Sequence, residues 1–189
     1  MKIKQLITFT LLVASFLTST VQAGVIYNGS PLANVDNATP VTTTFTVLDH
    51  GTILDLDLFY TLSNDWASDV SVTLTHGATT VLAFDAFEDT PTAVDVTLDD
   101  EAAGPITAGN YFGTFQASNL LSAFDGMDVF GDWTIGFYDD IVAGDATDLT
   151  AWGISVETTA VPEPSTLAIF GLALFGLSYS ARRKSKKNV

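Results

Sequence analysis

Apolar residues in the middle of this chain recur at every second position, and nothing else in the sequence narrows the possible folds as much. Val70, Val72 and Leu74 alternate with Ser71, Thr73 and Thr75, and Trp133, Ile135 and Phe137 alternate with Thr134, Gly136 and Tyr138. Leu54, Leu56 and Leu58 alternate in the same way with Asp55 and Asp57. A period of two sends alternate side chains to opposite sides of an extended backbone, so each run is expected to be a half-buried strand. Further strands are expected at residues 42–48, 79–84, 93–98, 110–115 and 150–157. Turn signals such as His76-Gly77 and Ala143-Gly144-Asp145 separate them. About eight short strands without a long helix between them predict an all-β domain, an antiparallel β-sandwich of jelly-roll type.

Both ends of the chain depart from this pattern. Met1-Lys2-Ile3-Lys4 is a basic start, residues 6–17 are largely apolar, and Val21-Gln22-Ala23 offers small residues where a signal peptidase reads. Cleavage between Ala23 and Gly24 is expected, with residues 1–23 as the signal peptide and residues 24–160 as one domain. At the other end, residues 166–181 carry no charge and reach roughly 24 Å as a helix, slightly short of a hydrocarbon core of about 30 Å. Arg182, Arg183, Lys184, Lys186 and Lys187 follow and would hold that end on the cytoplasmic side. Pro162 and Pro164 break the chain just ahead of the apolar run and leave an extended segment that a processing enzyme could grip.

Charge is partitioned as sharply as hydropathy. Lys2 and Lys4 lie in the leader and the other five basic residues in the tail, so the body has no Lys or Arg and only two His. Of the 22 acidic residues only Glu163 lies outside the body. Nucleic acid and anionic lipid are therefore unfavourable partners. With no Cys for disulfides, cations held by oxygen ligands are the expected means of relieving the repulsion, Ca²⁺ foremost, the alternative being a salt-adapted protein that needs only bulk ions. Two groups of loop carboxylates are candidates: Asp125, Asp128 and Asp132, and then Asp139, Asp140, Asp145 and Asp148. Neither reproduces the EF-hand spacing.

Two resemblances rest on particular residues. Val161-Pro162-Glu163-Pro164-Ser165-Thr166, the apolar run and the Arg-rich end resemble the PEP-CTERM sorting signal of Gram-negative bacteria over residues 161–189. That resemblance implies processing by an exosortase, a membrane-anchored precursor, and a mature form at the cell surface or in a biofilm matrix with exopolysaccharide. In the body, Leu121-Ser122-Ala123-Phe124-Asp125-Gly126, Gly131-Asp132-Trp133-Thr134-Ile135, Asp140, Gly144-Asp145, Leu149 and Trp152-Gly153-Ile154 resemble the end of the P domain. This β-sandwich accompanies subtilisin-like proprotein convertases. Asp69-Val70-Ser71-Val72-Thr73-Leu74 resembles its Asp-Leu strand, and Asp99-Asp100-Glu101-Ala102 its acidic turn. The likeness covers roughly residues 41–156. It departs where Asn64-Asp65-Trp66 stands near the family's usual His, and where His76-Gly77 replaces a Pro-Gly turn.

Trp133 and Trp152 read as core aromatics, and Gly126, Gly131 and Gly144 as turn formers. His50 and His76 are expected in strand-end turns. There is no Gly-x-Ser-x-Gly, no His-Glu-x-x-His and no Cys, so no catalytic residues are assigned and the chain is not expected to be an enzyme. The leading expectation is a non-catalytic exported surface or matrix protein with an ion-binding sandwich. One alternative is a stand-alone helper of a secreted subtilisin-like protease; another is a carbohydrate-binding or adhesion module working through an exposed Trp66.

Overall fold

The computed structural model describes residues 21–35, 39–63, 69–86, 91, 93–138 and 147–160. Trp66, Asp139, Asp140, Asp145, Gly144, the apolar run at 166–181 and the motif at Val161–Pro164 lie outside these, as does the leader up to residue 20. Among the described residues no helix is long and apolar enough to cross a membrane.

Among the described residues nine strands follow one another: β1 Val21–Asn28, β2 Val41–Val47, β3 Gly51–Ser63, β4 Ser71–His76, β5 Thr79–Phe84, β6 Ala93–Leu98, β7 Phe112–Phe115, β8 Gly131–Tyr138 and β9 Asp148–Ala160. A single 3-10 turn, Leu121–Phe124, sits between β7 and β8. Sheet one runs in the order β1-β9-β3-β6-β7 and sheet two in the order β2-β8-β4-β5. Among the described residues all strand pairings are antiparallel, as expected of the sandwich, except β6 with β7, which is parallel. Strands β5 and β6 begin and end where the alternation predicts. β1 is an addition. Val21-Gln22-Ala23, read as a cleavage signal, opens a strand that pairs with β9 from Val21↔Thr159 to Asn28↔Gly153, with a register shift between Gln22 and Val25.

The core lies between the two sheets. Leu56, Leu58, Tyr60 and Leu62 of β3 meet Val72 and Leu74 of β4 and Trp133, Ile135 and Phe137 of β8 in one buried cluster. Phe45 of β2 packs against Trp152 of β9 at 4.8 Å between ring centroids and so joins the sheets. Both core Trp residues are buried, as expected, and each indole N–H donates to a carbonyl: Trp133 to Val129 and Trp152 to Ser30, both at 3.0 Å. A satisfied N–H is what lets an indole be buried without a desolvation cost. Gly29 makes room for the second of these rings, since a Cβ on it would lie inside the indole of Trp152.

One run breaks its own alternation. A bulge between Ile53 and Asp55 shifts the register of β3 against β9, so Ile53 is buried and Leu54 is 41% exposed, after which Leu56 resumes the inward phase. An extra residue in one strand of a pair moves all that follows to the opposite side. Leu54 therefore does not belong to the inward set with Leu56 and Leu58.

Candidate functional site

Around the loop from Asp125 to Gly131, where cations were expected, Asp128 and Asp132 accept hydrogen bonds from the backbone and from side chains nearby. Asp128 accepts from His50 Nδ1 at 2.8 Å through one oxygen, and from the Gly51 and Phe130 N–H groups at 3.1 and 3.2 Å through the other. The His50 bond and then the Gly51 N–H hold its carboxyl down at about 2. Asp132 accepts from the Thr46 hydroxyl at 2.6 Å. Asp125 follows the 3-10 turn, and its carboxyl is pushed up by burial and then by Asp55 and Asp100. Gly126 and Gly131 turn the chain at φ +79° and +118°, as the turn reading expected. Among the described residues no group of three His, Asp or Glu side chains is placed to hold a metal. Asp148 opens β9, where its carboxylate accepts from the Asn34 N–H at 2.9 Å.

The two histidines stand at the same end of the sandwich but in different settings. His50, between β2 and β3, is stacked on Phe130 at 4.3 Å and more than half exposed. Its hydrogen-bond partner among the described residues is Asp128. His76, the last residue of β4, is buried and lies flat on Trp133 at 4.1 Å and 3°. Its Nδ1 faces the Asp132 carbonyl at 2.9 Å and its Nε2 the Asp128 carbonyl at 2.8 Å. A carbonyl oxygen only accepts, so both contacts are full hydrogen bonds only for the doubly protonated ring. Its role is to clamp the 128–132 loop onto β4. Sequence gave no sign of this, because the bonds go to backbone atoms more than fifty positions away.

Acid crowds the outside of sheet one. Partial burial and then Asp55, Asp99, Glu101 and Glu157 push the Asp57 carboxyl up to about 6. The run at Asp99 is partly structural: Asp99 accepts from the Glu101 N–H at 2.7 Å, and Asp100 receives the Leu121 and Ser122 N–H groups at 3.0 and 2.8 Å. Asp100 thus caps the 3-10 turn from a distant loop. A smaller cavity of about 200 Å³ is lined by Val25, Tyr27, Asp49, His50, Val129 and Thr158. There the Tyr27 hydroxyl donates to Asp49 at 3.0 Å, and burial followed by that carboxylate pushes the phenol up to about 12.

β9 ends at Ala160, paired with Gly51. Residues 160–184 match the PEP-CTERM protein-sorting motif. The sorting motif therefore begins on the last residue of the last strand, and it marks an exported protein with a membrane-anchored precursor. Among curated proteins, none matches the chain. Among solved structures, the chain is similar to an Aeromonas sobria serine protease, at 15% identity over 76% of this chain with a TM-score of 0.45. It is similar to the same protease in complex with the chaperone ORF2 at 15% identity, again over 76%, with a TM-score of 0.46. A third similarity, at 10% identity, 78% coverage and a TM-score of 0.34, is to PfGH50B. The chain spans 28% of the length of the two Aeromonas structures and 23% of the third.

Proposed function

We propose that this chain is a non-catalytic exported protein whose single acidic β-sandwich is delivered by an exosortase and retained at the cell surface or in the extracellular matrix. The observation that carries this reading is the sorting motif beginning at residue 160, directly where β9 ends. The domain is thus followed without a spacer by the segment an exosortase would process. What supports a non-catalytic role is the use of the two histidines. One is stacked on Phe130 and bound to a carboxylate, and the other is buried against Trp133 with both nitrogens on carbonyls.

The test is the mass of the mature protein recovered from its secreting cells after exhaustive trypsin. A body cleaved at Ala23 and within the sorting motif contains no Lys or Arg and passes through intact. Tryptic cuts at Arg182 or Arg183 would show a persistent basic tail and overturn the processing step. A subtilisin-like protease recovered with the protein by pull-down would move the reading to a protease helper.

A further inference from the structure

The outer face of sheet two is chemically unlike the rest of this surface. Its four strands carry one carboxylate, Asp132, whereas the strands of sheet one carry Asp55, Asp57, Asp95, Asp148 and Glu157. Hydroxyls take the place of charge. The register sets Thr44, Thr134, Thr75 and Thr80 side by side across all four strands. The Oγ1 atoms of Thr44 and Thr134 are 2.7 Å apart, and those of Thr75 and Thr80 2.9 Å. The next row is Thr42, Gly136, Thr73 and Leu82. Gly136 is its low point, because a Cβ there would lie 2.7 Å from Thr73 Oγ1.

Bare backbone at Gly136 opens a depression of about 510 Å³, bounded by Pro40, Ser71, Thr73, Asp85 and Tyr138. A second depression, of about 570 Å³, lies beyond Thr75 and Thr134, bounded by Gly77, Phe130 and Asp132. Both volumes fall in the range of small-molecule sites, about 300–1,000 Å³. The two adjoin along β8, whose residues span roughly 23 Å at about 3.3 Å each. An exposed aromatic stands at each end of this track, Tyr138 at 42% and Phe130 at 44%.

We propose that this face binds a neutral polysaccharide lying along β8, with sugar rings against Tyr138 and Phe130 and sugar hydroxyls on the threonine rows. A threonine hydroxyl both donates and accepts, as a sugar hydroxyl does, while Asp85 and Asp132 at the rims accept only. An aromatic ring offers a large rigid apolar surface to the C–H side of a sugar. An anionic polymer would find no Lys or Arg anywhere in the body and a surplus of carboxylates around the face. A protein partner is the poorer fit: protein interfaces draw their energy from buried Trp, Tyr and Arg, and threonine is under-represented among such anchors. A second copy of this chain would bring two strongly acidic bodies together. The proposal rests on the exported, matrix-retained reading and supplies its ligand class.

The experiment is affinity electrophoresis of the exported protein in gels containing dextran, laminarin, hydroxyethylcellulose or galactomannan, with alginate as the anionic comparison. At least one neutral polymer retards the protein and alginate does not. Tyr138→Ala and Phe130→Ala each weaken that retention about three- to tenfold. Thr134→Arg, which fills the middle of the track, abolishes it, and Asp57→Asn on sheet one leaves it unchanged. Thermal midpoints are measured on every variant; if Phe130→Ala loses stability through its stack on His50, Tyr138→Ala and Thr134→Arg carry the test. Retardation by no neutral polymer, retardation by alginate, or parental binding in both Tyr138→Ala and Thr134→Arg overturns the proposal. So does a dimer in sedimentation that Thr134→Arg dissolves, which would assign the face to a second copy. None of these outcomes touches the mass of the mature protein, so the ligand and the export route fail separately.

Discussion

At the scale of single residues, half-buried Asp57 and exposed Asp128 sit in environments that pull their carboxyls in opposite directions. Asp57 holds its proton up to about 6 against an ordinary 3.8, so the folded state binds more protons than the unfolded one between those values. Its contribution therefore becomes unfavourable as pH rises from about 4 through 6. Asp128, held at about 2, contributes stability that is complete above 3.8 and is lost as pH falls toward 2. Asp57→Asn is expected to raise the thermal midpoint at pH 7 and to leave it unchanged near pH 4. Asp128→Asn is expected to lower it at pH 7, with the gap closing as pH falls below 4. Solvent screening keeps each effect at about 1 kcal/mol or less, and midpoints measured across pH check both signs. A residue-level role of this kind was hidden in the sequence, where Asp128 looked like one acid among many. Its partners His50 and Gly51 lie more than seventy positions away.

At the scale of elements, period-two alternation was enough to locate eight of the nine strands, because burial between two sheets acts on every second side chain. What it could not supply was phase. The bulge at Ile53 and Asp55 turns Leu54 outward although its neighbours in the pattern point in. β1 was missed because Val21-Gln22-Ala23 satisfies a cleavage signal and a strand start equally well, and only its pairing with β9 decides that it is a strand. The threonines of β2, β4 and β8 were legible as the polar half of each alternation. Their alignment into rows was not, since register between distant strands is set by the fold. The same dependence on distant partners sets which glycines matter. Gly29→Ala is expected to cost at least about 1–3 kcal/mol by driving a methyl group into Trp152, while Gly104→Ala, which meets nothing within 4 Å, is expected to be neutral. Thermal midpoints and near-ultraviolet circular dichroism of the indole distinguish the two.

At the scale of the whole molecule, repulsion among the acids is the term that solution conditions can change. Salt of any kind should raise the thermal midpoint by screening the outside of sheet one. We propose Ca²⁺ for the Asp139, Asp140, Asp145 and Asp148 group, which rests on four carboxylates within ten positions of sequence. If that group holds the ion, chelation lowers the midpoint beyond what matched ionic strength restores, and an unchanged midpoint rejects it.

The pairing of Gly51 with Ala160 and of Val21 with Thr159 has a consequence for display. The strand that leads into the sorting motif finishes beside the start of β1, so the first and last strands of the sandwich meet at one pole. Val47 and Gly51 are joined across the sheets by three residues, which puts the far end of β2, His76 and the start of β8 at that same pole. Tyr138, Ser71 and Pro40 stand at the other. Phe130 thus stands at the pole where β9 finishes, and Tyr138 at the opposite one. A polymer held along β8 would therefore run from pole to pole of the sandwich, like a rope laid along a cleat, and not across its strands.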